Sequence, residues 1–128
     1  MEADKPTGEQ VICTMAMPKD TNGNGDIFGG WLVSQMDMVG AIFASRVCKG
    51  RTATVAIHSL TFKRPVKVGD VIACYARIEK RGHTSLTIII EVWALPHTKE
   101  TAYKVTEGSF VFVAIDKDGR PRPIDQPD

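Results

Sequence analysis

Hydrophobic positions fall into two regimes along the chain. Between Gly30 or Trp31 and about Cys48 they recur at helical spacing, with Gly50 as the expected stop, predicting one helix about 27 Å long. At 100° per residue, Leu32, Met36, Val39, Phe43 and Val47 form a bulky stripe. Gly30, Ser34, Asp37, Ala41, Ala44 and Ser45 form an opposite face of small residues. Trp31, Val33, Met38 and Ile42 fill the flanks, so little of the circumference suits water. A helix apolar almost all round is expected at the centre of a fold.

Elsewhere the period is two. Gln10 to Met15 reads as a short strand, ended by Pro18, and Thr52 to Phe62 as a β-branched one. Val71 to Glu79 precedes a turn at Lys80–His83. Ser85 to Ala94 alternates with Leu86, Ile88, Ile90 and Val92 on one face, a loop spans 96–100, and Ala102 to Asp116 is strand-like. Short turns between consecutive strands imply antiparallel pairing. The economical packing is a curved antiparallel sheet of about five strands around one long helix, an α+β domain over 1–128 with loose termini at 1–8 and 121–128.

The chain's 128 residues suit a single domain. Sixteen Lys+Arg against fifteen Asp+Glu leave a net charge of +1, so no overall field recruits nucleic acid or an anionic membrane. No apolar run approaches the ~20 residues of a membrane span, and the N-terminus has no secretory leader pattern. Three widely spaced cysteines (Cys13, Cys48 and Cys74) offer neither a disulfide framework nor a metal clip. They read as small core residues of a protein in a reducing cytoplasm.

Asp37 is the anomaly. A carboxylate within an apolar helix is costly to desolvate, and burial would poise it to accept a proton near neutral pH. The bland alternative is a structural aspartate that caps a neighbouring loop. The loop Asp20–Gly30 is the second feature. Asp20, Asn22, Asn24, Gly25 and Asp26 match the first ligand positions of a calcium loop, but its twelfth position is Trp31 and Pro18 stands where a helix should enter. Phe28 likewise breaks a dinucleotide fingerprint. What survives is Gly29-Gly30 feeding a helix N-terminus, either an ordinary glycine cap or an oxyanion site with free N–H donors. Gly30 and Asp37 share a face, about 10 Å apart along the axis.

Other candidates are weaker. The serines lack a nucleophile elbow, His58, His83 and His97 stand singly without metal-ligand spacing, and Cys48 lies at the wrong helix end for activation. The pairs Lys63-Arg64 and Lys80-Arg81 are candidate phosphate grips, and Gly82-His83-Thr84-Ser85 adds backbone and hydroxyl donors.

The run TMAMPKDTNGNGDIFGGWLVSQMD from Thr14 to Asp37 resembles the signature of the YciA-type bacterial acyl-CoA thioesterases. Phe62–Asp70, Glu91–Trp93, Thr106-Glu107 and Phe112–Asp116 are similar to the same family, and the likeness spans roughly residues 9 to 122. The resemblance implies a hotdog fold and dimers whose sheets join edge to edge, commonly as a trimer of dimers. It implies sites between subunits, acyl-CoA as substrate, and no cofactor or metal. By position it makes Asp37 the catalytic carboxylate, acting as general base or by direct attack to form an anhydride. It makes Asn22 the partner-subunit residue that positions water or thioester, and the Gly30 N–H, beside Gly29, the donor to the carbonyl. Arg64 and Arg81, with Gly82, Thr84 and Ser85, are then candidates for holding coenzyme A. Hotdog hydratases generally place a histidine near the central helix, and residues 16–50 contain none. A non-catalytic acyl-CoA-binding module is the competing reading.

Overall fold

A computed structural model describes residues 5–96 and 101–126. It contains strand β1 (Glu9–Met15), helix α1 (Gly29–Cys48), and strands β2 (Thr52–Phe62), β3 (Val71–Arg81), β4 (Ser85–Leu95) and β5 (Tyr103–Ala114). The strands form one antiparallel sheet in the order β1-β3-β4-β5-β2, with β1 and β2 at its edges. The sheet curves around α1, as the periodicities predict. Strand β3 runs past its predicted end because Lys80 and Arg81 pair with Thr87 and Leu86 before the turn. Of the predicted loop 96–100, residues 97–100 lie outside those described.

The core is the concave face of the sheet against one side of α1. Leu32, Met36, Val39, Gly40, Ala44 and Cys48 of the helix are buried among Ile72, Cys74, Leu86, Ile88, Ile90, Val92, Phe110 and Phe112. Burying each large side chain contributes about 1.5–3 kcal/mol. At Gly40 the fit has no slack: a methyl there would lie 2.4 Å from Phe112 Cζ. The other side of the helix differs from expectation. Ser34, Met38 and Ile42 are exposed and Asp37, Ala41 and Ser45 half-buried, so within one chain α1 is buried on a single face.

Three local expectations are corrected. The left-handed residue that ends α1 is Lys49, with φ 55°, rather than Gly50. Gly50 instead leaves room for the Arg122 guanidinium, whose Nη2 would lie 2.5 Å from an added methyl. The described parts of both termini are pinned, not loose. Thr7 donates to the buried Glu91 carboxylate, which also accepts from Trp93 Nε1 at 2.8 Å. These hydrogen bonds and the nearby Lys104 ammonium hold the Glu91 carboxyl below the usual range, against the opposing pull of burial. Arg122, 6% exposed, donates to the Cys48, Ile115, Pro123 and Gln126 carbonyls and so caps the C-terminal end of α1. Finally, Cys48 and Cys74 are buried but Cys13 is exposed on β1. Burial, with a smaller contribution from Cys13, pushes the Cys74 thiol up to about 12.

Candidate active site

The loop that enters α1 is built by its own polar groups. Asn22 Oδ1 accepts from the Asn24 amide at 2.8 Å and the Asp26 amide at 3.2 Å, and Gly25 takes φ 81° to close the turn. Asp26 forms an ion pair with Lys67. The calcium-like spacing therefore builds a turn. With Oδ1 occupied inward, the Asn22 Nδ2 has no partner among the described residues and is available to donate.

Two backbone bonds then aim the chain into the helix, from Ile27 N to Val66 O and from Phe28 N to Asp20 O, each 2.9 Å. The N-cap is Phe28, whose side chain caps nothing. Trp31 and Leu32 donate to the Phe28 carbonyl, but no hydrogen bond from the Gly29 or Gly30 amide occurs among the described residues. A methyl on Gly30 would meet no atom within 4 Å. The helix start thus presents two unsatisfied donors beside open space.

Next to it is a cavity of about 360 Å³ lined by Asn22, Gly29, Leu32, Phe62, Arg64 and four neighbouring residues of the 26–27 and 63–66 segments, Asp26, Ile27, Pro65 and Val66, together with Lys63. The Arg64 guanidinium lies 5.0 Å from the centre of the Tyr103 ring, and Tyr103 OH donates to Pro65 O at 3.0 Å. Asn22, Gly29 and Arg64, singled out separately in the sequence, are brought together here.

Asp37 lies farther along α1 and does not line this cavity. The expectation of a carboxylate sunk in an apolar core fails within one chain, since Asp37 sits half-buried on the open face. Its Oδ1 accepts a 2.6 Å hydrogen bond from Thr54 Oγ1 on β2. Sequence reasoning missed Thr54. In a strand full of β-branched residues nothing distinguishes it until α1 and β2 are placed side by side.

Arg81, Gly82, Thr84 and Ser85 form a separate group. Gly82 N donates to Ser85 O at 2.8 Å, the Thr84 carbonyl accepts from Ala114 N at 2.9 Å, and Arg81 pairs with Asp125 at 2.6 Å. His83 O accepts from Ile124 N, two residues from the arginine that caps the end of α1, so this hairpin lies at the helix C-terminal end. A 20-residue helix is about 30 Å long. One chain therefore separates the two sets of candidate coenzyme A contacts.

The family model of the thioesterase superfamily matches residues 24–101. The acyl-CoA thioester hydrolase YciA of Salmonella typhimurium is 57% identical over 122 residues, covering 93% of this chain and 92% of that protein. A hexameric thioesterase of Yersinia pestis superposes with a TM-score of 0.89 at 54% identity, covering 93% of this chain and 97% of the other. A hexameric broad-specificity acyl-coenzyme A thioesterase gives a TM-score of 0.88 at 46% identity, covering 95% and 84%. Long helix, wrapped antiparallel sheet and sequence agree: the chain is a hotdog-fold member of the thioesterase superfamily and belongs among its YciA-type acyl-CoA thioester hydrolases.

Proposed function

We propose that this chain hydrolyses acyl-CoA thioesters at a site completed by a second copy of itself. The observation that carries the proposal is the Asp37 carboxylate, held by Thr54 on an open helix face whose N-terminus presents the free Gly29 and Gly30 amides. Asn22 and Gly29 of one chain line a cavity that the same chain's Asp37 does not, so in this proposal the donors and the carboxylate of one site come from different subunits. On this reading a water and the thioester carbon lie between them. The Gly30 N–H and the helix dipole stabilise the negative charge that develops on the carbonyl oxygen. Asp37 accepts a proton from the attacking water, the C–S bond breaks, and the proton is passed to the departing coenzyme A sulfur. Asn22 Nδ2 donates to the water or to the thioester. Arg81 holds the phosphates, with Gly82, Thr84 and Ser85 beside it, and Arg64 meets the coenzyme A at the mouth of the helix-start cavity.

The second copy follows from two features. Strand β2 is an edge strand with Val55 and Ile57 exposed, and the open face of α1 adds exposed Met38 and Ile42. An exposed apolar surface along a bare sheet edge is an association surface. Pairing two β2 edges about a two-fold axis reverses one chain relative to the other. The Asn22 loop of one subunit then approaches the Arg81–Ser85 end of its partner, uniting the groups that one chain keeps apart. The hexameric relatives support further assembly of such dimers.

Release of free thiol from acetyl-, octanoyl- and palmitoyl-CoA tests the activity. Asp37→Ala is expected to abolish release while coenzyme A still binds by calorimetry. Unchanged turnover in that variant would mean that another group activates the water. Binding without turnover by the native chain would establish a non-catalytic acyl-CoA module instead.

A further inference from the structure

The wall of the helix-start cavity carries a feature that the hydrolytic steps leave unused. Phe62, the last residue of β2, is 47% exposed, yet the backbone on both sides of it is anchored. Thr106, its cross-strand partner, donates to Thr61 O, and Lys63 N donates to Val105 O at 2.7 Å. Beyond it, Ile27 N–Val66 O and Tyr103 OH–Pro65 O tie down the rest of the segment. The ring lies over Gly29, where an added methyl would stand 3.4 Å from Phe62 Cζ. A large apolar side chain on a well-anchored strand end, beside the Gly29 backbone and with half its surface uncovered, is a preformed wall for a ligand.

The lining identifies which arm of the substrate meets that wall. Ile27, Leu32 and Val66 are buried and form an apolar floor, while the polar lining is Asn22 and Asp26, half-buried, and Lys63 and Arg64, exposed at the rim. The amides of a pantetheine arm would lose their hydrogen bonds on such a floor, whereas an alkyl chain loses nothing. We infer that Phe62 is a specificity-determining residue that sets how long an acyl chain the cavity of about 360 Å³ accepts. This rests on the thioester-hydrolase reading above. Truncating the ring joins its volume to the cavity, and enlarging it closes the space.

The test is kcat and KM for acyl-CoAs from acetyl to palmitoyl with the native chain and with Phe62→Ala, Phe62→Leu and Phe62→Trp. Coenzyme A product inhibition is measured alongside. Alanine is expected to raise the long-to-short ratio of kcat/KM by at least about tenfold and tryptophan to lower it, with leucine between. Product inhibition should stay within about twofold, because coenzyme A lacks the acyl arm. A change uniform across chain lengths, or one mirrored in product inhibition, would place the ring against the pantetheine arm and overturn the inference. A native profile unmoved by all three variants would also overturn it while leaving the hydrolase reading intact. If the native chain hydrolyses none of the panel, that reading fails and this inference falls with it.

Discussion

The two faces of α1 are built from neighbouring residues to opposite ends. Met36 is fully buried, with Gly108 leaving room for its methyl, while Gly40 lets Phe112 press against the helix backbone. One residue on from Met36, Asp37 sits half-buried with a single hydroxyl donor, flanked by exposed Ser34 and Met38. A face packed without slack supplies stability, and a face left open within one chain supplies chemistry and a place for another chain. The contrast teaches that the anomaly in this helix is positional: its carboxylate belongs to the side that the single chain does not finish.

Adjacent substitutions break this contrast most sharply. Asp37→Ala should lower kcat/KM by about 10²–10⁴-fold and leave stability within about 0.5 kcal/mol, as read by thiol release and urea unfolding. Met36→Ala should do the reverse, costing about 2–5 kcal/mol of stability while the folded fraction turns over nearly normally. A Met36→Ala protein that is stable but inactive would show that the faces are not separable. Gly30→Ala is a finer probe. No atom in the chain opposes its methyl, and Gly→Ala within a helix gains about 0.5–1 kcal/mol. A protein at least as stable as the native one, with activity reduced about tenfold or more by crowding of the carbonyl site, is the expected result.

Smaller effects sharpen the picture. Thr54→Val removes the donor to Asp37, and a loss of about 1 kcal/mol lowers kcat severalfold with KM unchanged. A change in KM alone would assign Thr54 to substrate binding. On the sealed side of the molecule, the lowered Glu91 carboxyl stabilises the fold above the ordinary carboxylate range. That contribution is lost as pH falls through its depressed folded value. Thermal unfolding in acid should therefore show a drop in stability that Glu91→Gln diminishes.

What the sequence reveals divides along the same line. Strands announce themselves wherever an alternating face meets the core, as in Val71–Arg81, and α1 by a stripe that does the same. Features set by distant partners leave no local trace. Arg122 looks like part of a proline-rich tail until Cys48 O is placed beside it, and Thr7 like terminal chain until Glu91 is. The site is intermediate. Asp37, Asn22 and Gly29-Gly30 stand out by residue type, but the open setting of Asp37 does not, because polarity on an apolar helix looks the same whether water, a core or another subunit covers it. Likewise Arg64 and Arg81 read alike as surface cations, and only the fold shows them at opposite ends of one chain.

The central claim is that each site is shared between subunits, and subunit mixing tests it most directly. Asp37→Ala and Asn22→Ala chains, each inactive alone, are unfolded together and refolded, and turnover is compared with the native protein treated alike. If Asn22 serves the partner's Asp37, every mixed dimer holds one intact site, and random pairing restores about a quarter of native activity. Activity that stays at the level of the separate variants, in mixtures shown by mass spectrometry to contain mixed dimers, would place both residues in a site within one chain and contradict the account.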